Sequence, residues 1–373
     1  MNAAWWRLPG PSRFIEQSAE EFRDGRNLIL GLPEHLPQGL EEAVRSTFDP
    51  TGVVEWVGLT VDGGPPLQQL FERFASDTPP DMLRNAATLL QQEGFQGRIV
   101  WLRGLGPAWS AWREFLAEYG HACQSVSRFV RTLFGVAAIG EAALTLPVDN
   151  LCLSVRRWSG VVDPLDAQVY AAGLLRTRRF PAVHKTLATV ILAELASWDP
   201  AVCERLAEES WEILLRPQLI LREVGRERGW EGIAPDGERA WALGWQDDFG
   251  GRSTWHAAVL AANPADREIE RRIWSAQVRV LLPHVEECRQ DLLARLAPLL
   301  PVPLRLPDGR VITDLDELEI GQLEYCLSSL DLPVPPDLRL LKRVRNQLAH
   351  LEVVGSELLH SEILRLGPLA YGR

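Results

Sequence analysis

The sequence predicts a multidomain protein in which an α/β domain with a mainly parallel sheet is followed by all-α regions. Between residues 26 and 155, short apolar runs alternate with amphipathic stretches, a pattern typical of a parallel sheet with helices on both faces. From Asp163 onward the apolar residues recur at helical spacing instead. The chain has 373 residues, 46% of them hydrophobic, which is enough for two or three domains with well-filled cores.

The strands of the α/β domain are predicted from five runs rich in aliphatic residues. These runs cover residues 27–32, 53–59, 98–102, 132–139 and 151–155. Helices fit between them, over residues 39–48, 67–74, 82–93 and 109–119. We therefore predict that residues 1–160 form one α/β domain. Open sheets of this kind usually carry their sites at the carboxyl ends of the strands.

The loop after the first predicted strand bears on nucleotide chemistry. A strand, a Pro/Gly-containing loop (GLPEHLPQG, residues 31–39) and a helix resemble the P-loop NTPase fold of AAA+ and STAND proteins. No GK[ST] follows, however, and residues 1–184 contain no lysine, so the charge that reaches the β- and γ-phosphates is missing. The strand in the Walker B position runs into Arg103 rather than an acidic pair. We expect a degenerate NTPase-like domain and can name no cofactor-binding residue.

The middle of the chain, residues 161–258, is predicted to be a helical region. Its helices are expected over residues 165–177, 182–197, 200–214 and 217–229. This region resembles the helical lid or winged-helix module that follows the NTPase core in STAND-like proteins. Residues 233–253, rich in Gly, Asp and Trp, are expected to form an extended linker or loop, and His256 is expected to be structural.

The C-terminal segment, residues 259–373, is predicted to form a small helical bundle. A long helix kinked at Pro283, a hairpin and a further helix are expected over residues 265–299, 304–312 and 315–330. The last long helix follows Pro335-Pro336, with Asp337 as the expected N-cap. Its apolar residues recur at helical spacing: Leu338, Leu341, Val344, Leu348 and Leu351.

This last helix carries Arg345, Asn346 and His350, and hence a guanidinium, an amide and an imidazole. Asn346 and His350 are four residues apart and share a face, while Arg345 lies about a quarter-turn away. An Arg can stabilise charge that develops on a phosphate, a His can move protons near neutral pH, and an amide can orient the attacking 2′-hydroxyl. The three residues therefore suit metal-free cleavage of RNA.

An Arg, a following polar residue, a short gap and a His on a helix of an all-α bundle resemble the motif of the HEPN superfamily, and Arg345, Asn346 and His350 match it position by position. The resemblance implies a ribonuclease of antiviral or toxin-antitoxin systems, in which two protomers pair through the bundle and line one cleft. It also implies supporting polar residues beside the cleft, for which Glu286, Glu287 and Arg343 are the candidates. A solvated helix face is the alternative for all of these charges. No metal and no cofactor are expected.

The overall charge and the cysteines restrict the partners and the compartment. A formal charge of −11 argues against a broad surface that coats nucleic acid, but Arg339, Lys342, Arg343 and Arg345 make the motif helix locally basic. The five cysteines are scattered without a CxxC pair, so neither a zinc site nor a disulfide framework is indicated. Because no signal-like segment and no apolar run of about 18 residues occurs, we expect a cytoplasmic protein without a membrane partner.

Two classes of function fit these observations. The first is a dimeric, metal-independent endoribonuclease or nuclease-like effector of a prokaryotic defence or toxin-like system, with RNA and other defence-system proteins as partners. The second is a non-catalytic sensor or scaffold subunit of a multi-protein defence complex, which the missing Walker residues favour. An active ATPase switch is disfavoured by the same absence.

Overall fold

The structure is a computed structural model of the chain, and it describes residues 4–79, 82–232, 234–263 and 265–366. By its contacts the chain divides into two compact units. The first comprises Met1–Asp166 and Gly232–His256, and the second comprises Ala167–Glu231 and Ala257–Arg373. The chain therefore returns to the first unit for one short segment before it completes the second. The three-part division expected from the sequence stays a prediction.

The first unit is built on a five-stranded sheet in which every strand pair is parallel. The strands are β1 Asn27–Leu32, β2 Glu55–Thr60, β3 Arg98–Arg103, β4 Leu133–Ile139 and β5 Leu153–Arg157. Their order is β2-β3-β4-β1-β5, so β1 lies inside the sheet and β5 at one edge. Each of the five predicted strands coincides with one of these to within two residues, and the prediction of a parallel sheet is confirmed.

The helices of the sheet segment are α1 Pro9–Arg23, α2 Leu40–Phe48, α3 Pro66–Phe74, α4 Ala86–Leu90 and α5 Trp109–Ala122. Short 3-10 turns lie at Trp5–Arg7, Glu93–Phe95, Gly106–Ala108, Cys123–Ser125 and Gly140–Leu144. Helix α1 has no counterpart among the predicted elements. The predicted helix over residues 82–93 is too long, because the side chain of Asn85 caps α4 by accepting from the Thr88 N–H.

The segment that returns to the first unit, Gly232–His256, is folded rather than extended. It contains α11 (Gly237–Ala242) and a hairpin of Gln246–Asp248 with Ser253–Trp255. The expectation of an extended linker is wrong over this segment, because Trp241 and Ala242 are buried against Ala143 and Leu144. Burial of an apolar helix face outweighs the loop-like composition of its flanks.

The second unit is helical apart from one hairpin in its described residues. Its helices are α6 Pro164–Leu174, which begins in the first unit, α7 Ala182–Ala196, α8 Pro200–Ala207, α9 Trp211–Leu214, α10 Gln218–Glu227, α12 Ala257–Ala262, α13 Asp266–Leu296, α14 Ile320–Ser329, α15 Pro336–Ala349, α16 Ser356–Leu359 and α17 Glu362–Leu366. The hairpin pairs Leu304–Arg305 with Val311–Ile312, and 3-10 turns lie at Leu175–Thr177, Ala297–Leu299 and Leu315–Glu317. These elements agree with the predicted helical pattern. The coarse prediction of an α/β part joined to an all-α part is therefore confirmed.

Helix α13 is the centre of the second unit and packs against α7, α12 and α15. Two of its polar side chains hold the end of α15. Trp274 Nε1 donates to the Leu348 carbonyl at 2.8 Å, and the fully buried amide of Gln277 exchanges two hydrogen bonds with the backbone of Val354. Because all three bonds reach backbone atoms, they fix the path of the chain on either side of His350.

Candidate functional site

Helix α15 forms because proline begins it and an apolar stripe anchors it. Pro336 occupies the first turn, where its missing N–H costs nothing, and Asp337 adds a negative charge near the helix N-terminus. The N-cap is Pro335 rather than the predicted Asp337. Four of the five predicted apolar positions are buried: Leu338, Leu341, Val344 and Leu348. Leu351, the fifth, is 68% exposed because the helix has already ended.

The end of α15 is a Schellman motif built around His350. His350 is the C-cap residue, the Glu352 N–H donates to the Gln347 carbonyl at 2.9 Å, and the Leu351 N–H donates to the Leu348 carbonyl at 3.3 Å. This arrangement places Leu351 at φ +63°, in the left-handed region that glycine normally occupies. The backbone around His350 is therefore held by hydrogen bonds on both sides, while its side chain is exposed.

Helical geometry places Asn346 and His350 on the side of α15 opposite to the buried Val344 and Leu348. Asn346 is half-buried and His350 exposed. Within the described residues, no hydrogen bond or ion pair uses either side chain. Arg343 lies on the same outer half of the helix, is exposed, and forms no ion pair with a described residue. The structure thus brings Asn346 and His350 onto one face, as the spacing predicts, and adds Arg343 to them.

Arg345 lies on the flank of α15 and has a different environment. Its Nη2 is 3.4 Å from Glu319 Oε2, and the side chain lines a cavity of about 220 Å³. Four carboxylates and a second guanidinium share that lining: Glu286, Asp316, Glu317, Glu319 and Arg289. No hydrogen bond joins Arg345 to His350 among the described residues, and His350 does not line this cavity. It would have to leave Glu319 to reach a phosphate near the imidazole.

The two acidic residues predicted to support the motif have other partners. The Glu286 carboxylate accepts from Arg289 Nη2 at 2.5 Å and from its Nε at 2.9 Å, and this pairing keeps the pKa of Glu286 below its usual value. Glu286 nevertheless lines the same cavity as Arg345. Glu287 is exposed, and its Oε2 lies 4.0 Å from Nδ1 of the buried His284. The structure therefore places Glu286, but not Glu287, beside Arg345.

A second cavity, of about 660 Å³, lies on the other flank of α15. Arg343, Gln347 and Leu351 line it together with carboxylates from three other segments: Glu212, Glu270, Glu352 and Glu357. Gln347 Oε1 is buried there without a hydrogen-bond partner in the described part of the chain. One basic side chain of α15 is neutralised by α14, since Lys342 Nζ donates to Glu324 Oε2 at 2.5 Å.

In the first unit, the carboxyl ends of the central strands are covered by the chain itself. The Glu34 N–H, just after β1, donates to the Ala242 carbonyl at 2.8 Å, and Trp241 Nε1 donates to the Trp158 carbonyl at 2.9 Å. Burial, followed by the nearby charge of Glu141, raises the pKa of Glu34. Helix α11 thus packs where an open α/β sheet usually binds its ligand.

Sequence reasoning missed one charged cavity of the first unit, at the carboxyl end of β5. Three arginines line it, Arg13, Arg156 and Arg157, and its lining contains no carboxylate. The adjacent pair Arg156-Arg157 at the end of a predicted strand was the available signal. Arg13 could not be connected to that pair, because α1 was not among the predicted elements.

No family model matches the chain, and no curated protein matches it. In the described ranges, no helix is long and apolar enough to cross a membrane. Those ranges also contain no cluster of three or more His, Cys, Asp or Glu side chains that could hold a metal ion. All five cysteines are free and buried.

Proposed function

We propose that the chain is a metal-independent endoribonuclease of HEPN type, whose site is the end of α15 and is completed by a second copy of the chain. The observation that carries this proposal is that the end of α15 places the side chains of Asn346 and His350 together on its outer face. Both lie on the outer face of a helix end that the half-buried Trp274 and the fully buried Gln277 of α13 hold in place, and neither side chain forms a hydrogen bond or ion pair with a described residue. A pre-organised catalytic site requires polar side chains whose backbone is held in place and which remain available to the substrate.

The proposed reaction is attack of a ribose 2′-hydroxyl on the adjacent phosphorus, with departure of the 5′-oxygen. The His350 imidazole takes the proton of the 2′-hydroxyl, and the imidazolium that forms gives a proton to the leaving 5′-oxygen, which completes the step. Asn346 donates a hydrogen bond to the phosphate and orients it. Arg345 neutralises charge on the phosphorane, which is the role that its fork of donors suits. The products are a 2′,3′-cyclic phosphate and a free 5′-hydroxyl.

A second copy of the chain is proposed because one chain does not bring the groups together. Arg345 is held by Glu319 on the flank of α15, away from the face of Asn346 and His350. Pairing of two outer faces would bring the arginine, amide and imidazole of two motifs into one cleft. The exposed Glu319 is only a weak competitor, since an ion pair at the surface contributes roughly 0 to 1 kcal/mol. A phosphate can therefore displace it.

The test is cleavage of labelled tRNA and total RNA by the purified protein in EDTA. Wild-type protein should cut, and Arg345→Ala or His350→Ala should lower the rate by roughly 10²- to 10⁴-fold without a change in melting temperature. Arg339→Ala is the matched control, because Arg339 is an exposed arginine of the same helix whose ion pair with Glu324 is long, at 3.8 Å. Cutting by His350→Ala at the wild-type rate would refute the proposal.

A non-catalytic sensor or scaffold subunit of a defence complex is the second candidate. Two observations favour it: Arg345 is paired in a cavity with three further carboxylates, and α11 covers the carboxyl ends of β1 and β4. If no variant and no wild-type sample cuts RNA while sedimentation shows an intact dimer, this candidate replaces the first. The defence setting and a cytoplasmic location belong to both proposals. The free, buried cysteines support the location, since thiols persist in reducing compartments.

A further inference from the structure

The larger of the two cavities beside α15 carries charges of both signs. Its volume of about 660 Å³ is within the range of small-molecule sites. Two guanidinium groups and four carboxylates line it: Arg216, Arg343, Glu212, Glu270, Glu352 and Glu357. In the described part of the chain, no ion pair joins any two of these groups. The cavity therefore keeps both donors and acceptors available for a ligand that carries both kinds of group.

Helix α15 contributes Arg343 and Gln347, which are four residues apart and lie on the same side of the helix. Gln347 Oε1 is buried and has no hydrogen-bond partner among the residues that the structure describes. A buried acceptor without a partner costs free energy, which the N–H of a ligand would recover. Arg343 is exposed and lies about two turns before His350. It therefore lies between this cavity and the outer face of the helix.

Helix α13 contributes Glu270 to the lining. Glu270 lies four residues before Trp274 and seven before Gln277, so the three side chains share one side of α13. Trp274 and Gln277 bond to the backbone of Leu348 and Val354, at the end of α15 and just after it. Glu270 therefore faces the same part of the chain. It is exposed and forms no ion pair with a described residue, so its carboxylate can accept from a ligand.

Apolar side chains complete the lining, and one of them has an unfavourable backbone conformation. Leu215, Leu351, Val353 and Leu358 lie beside the charged groups. Leu351 has φ +63° and a side chain that is 68% exposed, so packing within the chain offsets little of its strain. Strained residues cluster where a protein contacts its ligand. A flat ring placed on Leu351 would bury this exposed side chain.

We propose that this cavity binds a guanine base. Guanine carries two adjacent donors, N1–H and the N2 amino group, which match the Glu270 carboxylate with Gln347 Oε1 beside it. It also carries two adjacent acceptors, O6 and N7, which match the fork of the Arg343 guanidinium. Adenine offers one amino group among several ring acceptors, and an acceptor-rich wall disfavours those acceptors.

The charges of the cavity also determine how a guanine nucleotide would enter. Four carboxylates repel a phosphate, so the ring enters the cavity and the phosphate stays outside, towards Asn346 and His350. Resting on the proposed function, we expect this base to belong to the RNA nucleotide next to the cleaved bond, since proteins read unstacked RNA bases by their edges. A free guanine nucleotide would present the same base.

The test is calorimetric binding of GMP, IMP and AMP to the full chain. The three nucleotides share the ribose and the phosphate, so differences in affinity report the base. GMP should bind roughly tenfold or more tightly than either of the others, because IMP lacks the N2 amino group and AMP lacks both donors of the guanine edge. Equal binding of all three, or no binding of GMP at millimolar concentration, would overturn the proposal.

Two variants test the contacts. Glu270→Gln and Arg343→Gln should each weaken GMP binding by roughly tenfold or more, the usual effect of losing a charge-assisted bidentate pair. Glu270→Gln should also abolish the preference for GMP over IMP, which a merely structural effect would leave intact. An unchanged preference would therefore contradict the role of Glu270. The matched controls are Glu287→Gln and Arg339→Gln, exposed residues of the same two helices outside the cavity lining, which should bind GMP like the wild type.

Mapping of RNA cleavage separates the two sources of the base and keeps this proposal distinct from the nuclease. Cuts beside guanosine in the wild type, with that preference lost in Arg343→Gln, would identify RNA as the source. Binding of GMP without any cleavage would retain the guanine site, with a free nucleotide as its ligand, and would remove the nuclease. Cleavage without GMP binding or guanosine preference would remove the guanine site alone.

Discussion

At the residue scale, the buried carboxyl of Asp247 has an unusual titration. Burial raises its pKa to about 6, although the Gly160 and Asp248 N–H groups and the Ser159 hydroxyl donate to it. Its second oxygen, Oδ2, has no hydrogen-bond partner among the described residues. A carboxyl with one unsolvated oxygen is more stable in its protonated form, which accounts for the direction of the shift.

This titration predicts a loss of stability as the pH rises. Because the folded state holds the Asp247 proton more tightly than the unfolded state does, the stabilisation is complete below about pH 4 and is lost as the pH passes about 6. A shift of about two units corresponds to about 3 kcal/mol in the free energy of unfolding. Urea unfolding at pH 4.5 and 7.5 should show most of this difference in the wild type. Asp247→Asn, which cannot ionise, should lack it, and the same pH dependence in both proteins would contradict the assignment.

Leu351 is strained in a way that its burial does not explain. A leucine at φ +63° has an unfavourable backbone conformation. Packing offsets little of this cost, because the side chain is 68% exposed. Leu351→Gly should raise the free energy of unfolding by about 1 kcal/mol, because glycine adopts this conformation without strain. Leu351→Ala, which keeps the Cβ, is the control and should give no gain. Urea unfolding distinguishes the two, and equal stability of both variants would rule out strain at this position.

At the element scale, Gly225 allows α10 to pack closely on α12. A Cβ at Gly225 would lie 2.8 Å from the Ala258 carbonyl oxygen and 2.9 Å from the Ala262 Cβ, whereas a Cβ at Gly173 in α6 would meet nothing within 4 Å. Gly225→Ala should therefore destabilise the protein by about 1 to 2 kcal/mol, since a backbone oxygen must move. Gly173→Ala should stabilise it by about 0.5 to 1 kcal/mol through helix propensity. Thermal unfolding should show a lower melting temperature for Gly225→Ala and a higher one for Gly173→Ala.

The elements that could be predicted from the sequence are those whose signal is local. All five parallel strands were predicted, because each is a short apolar run between turn residues. Helix α1 also has a local signal, in Phe14, Ile15, Ala19 and Phe22 after Pro9, and it was overlooked. Residues 233–253 were misassigned for another reason: their helix is fixed by contacts of Trp241 with residues about a hundred positions earlier in the chain.

The candidate site, like the elements, could be predicted only where the sequence signal is local. Helical spacing was sufficient to place Asn346 and His350 on one face, because that depends only on a period of about 3.6 residues. Arg345 could not be placed in this way. Its partner Glu319 belongs to the capping box of α14 and meets Arg345 only through the packing of two helices. Likewise, the three arginines at the end of β5 come from segments more than a hundred residues apart.

At the scale of the whole molecule, the α/β unit is made of two separate stretches of chain. Residues 167–231 belong to the helical unit, and only afterwards does Gly232–His256 return to cover the sheet. The first unit can therefore complete its core only when this later segment has joined it. Such a connection couples the folding of distant parts of the sequence, because the cost of closing the intervening loop must be met before the contacts form.

Trp241 should contribute most of the stability that the segment Gly232–His256 gives to the first unit. Its side chain is 6% exposed, donates to the Trp158 carbonyl and lies under the Arg157 guanidinium. Trp241→Ala should lower the free energy of unfolding by about 3 to 5 kcal/mol, the usual cost of removing a buried tryptophan. Trp241→Phe keeps a ring but loses the N–H, and should cost about 1 to 2 kcal/mol. Urea unfolding and limited proteolysis within 232–256 measure both effects. A loss below about 0.5 kcal/mol in Trp241→Ala would mean that this segment rests on the sheet without stabilising it.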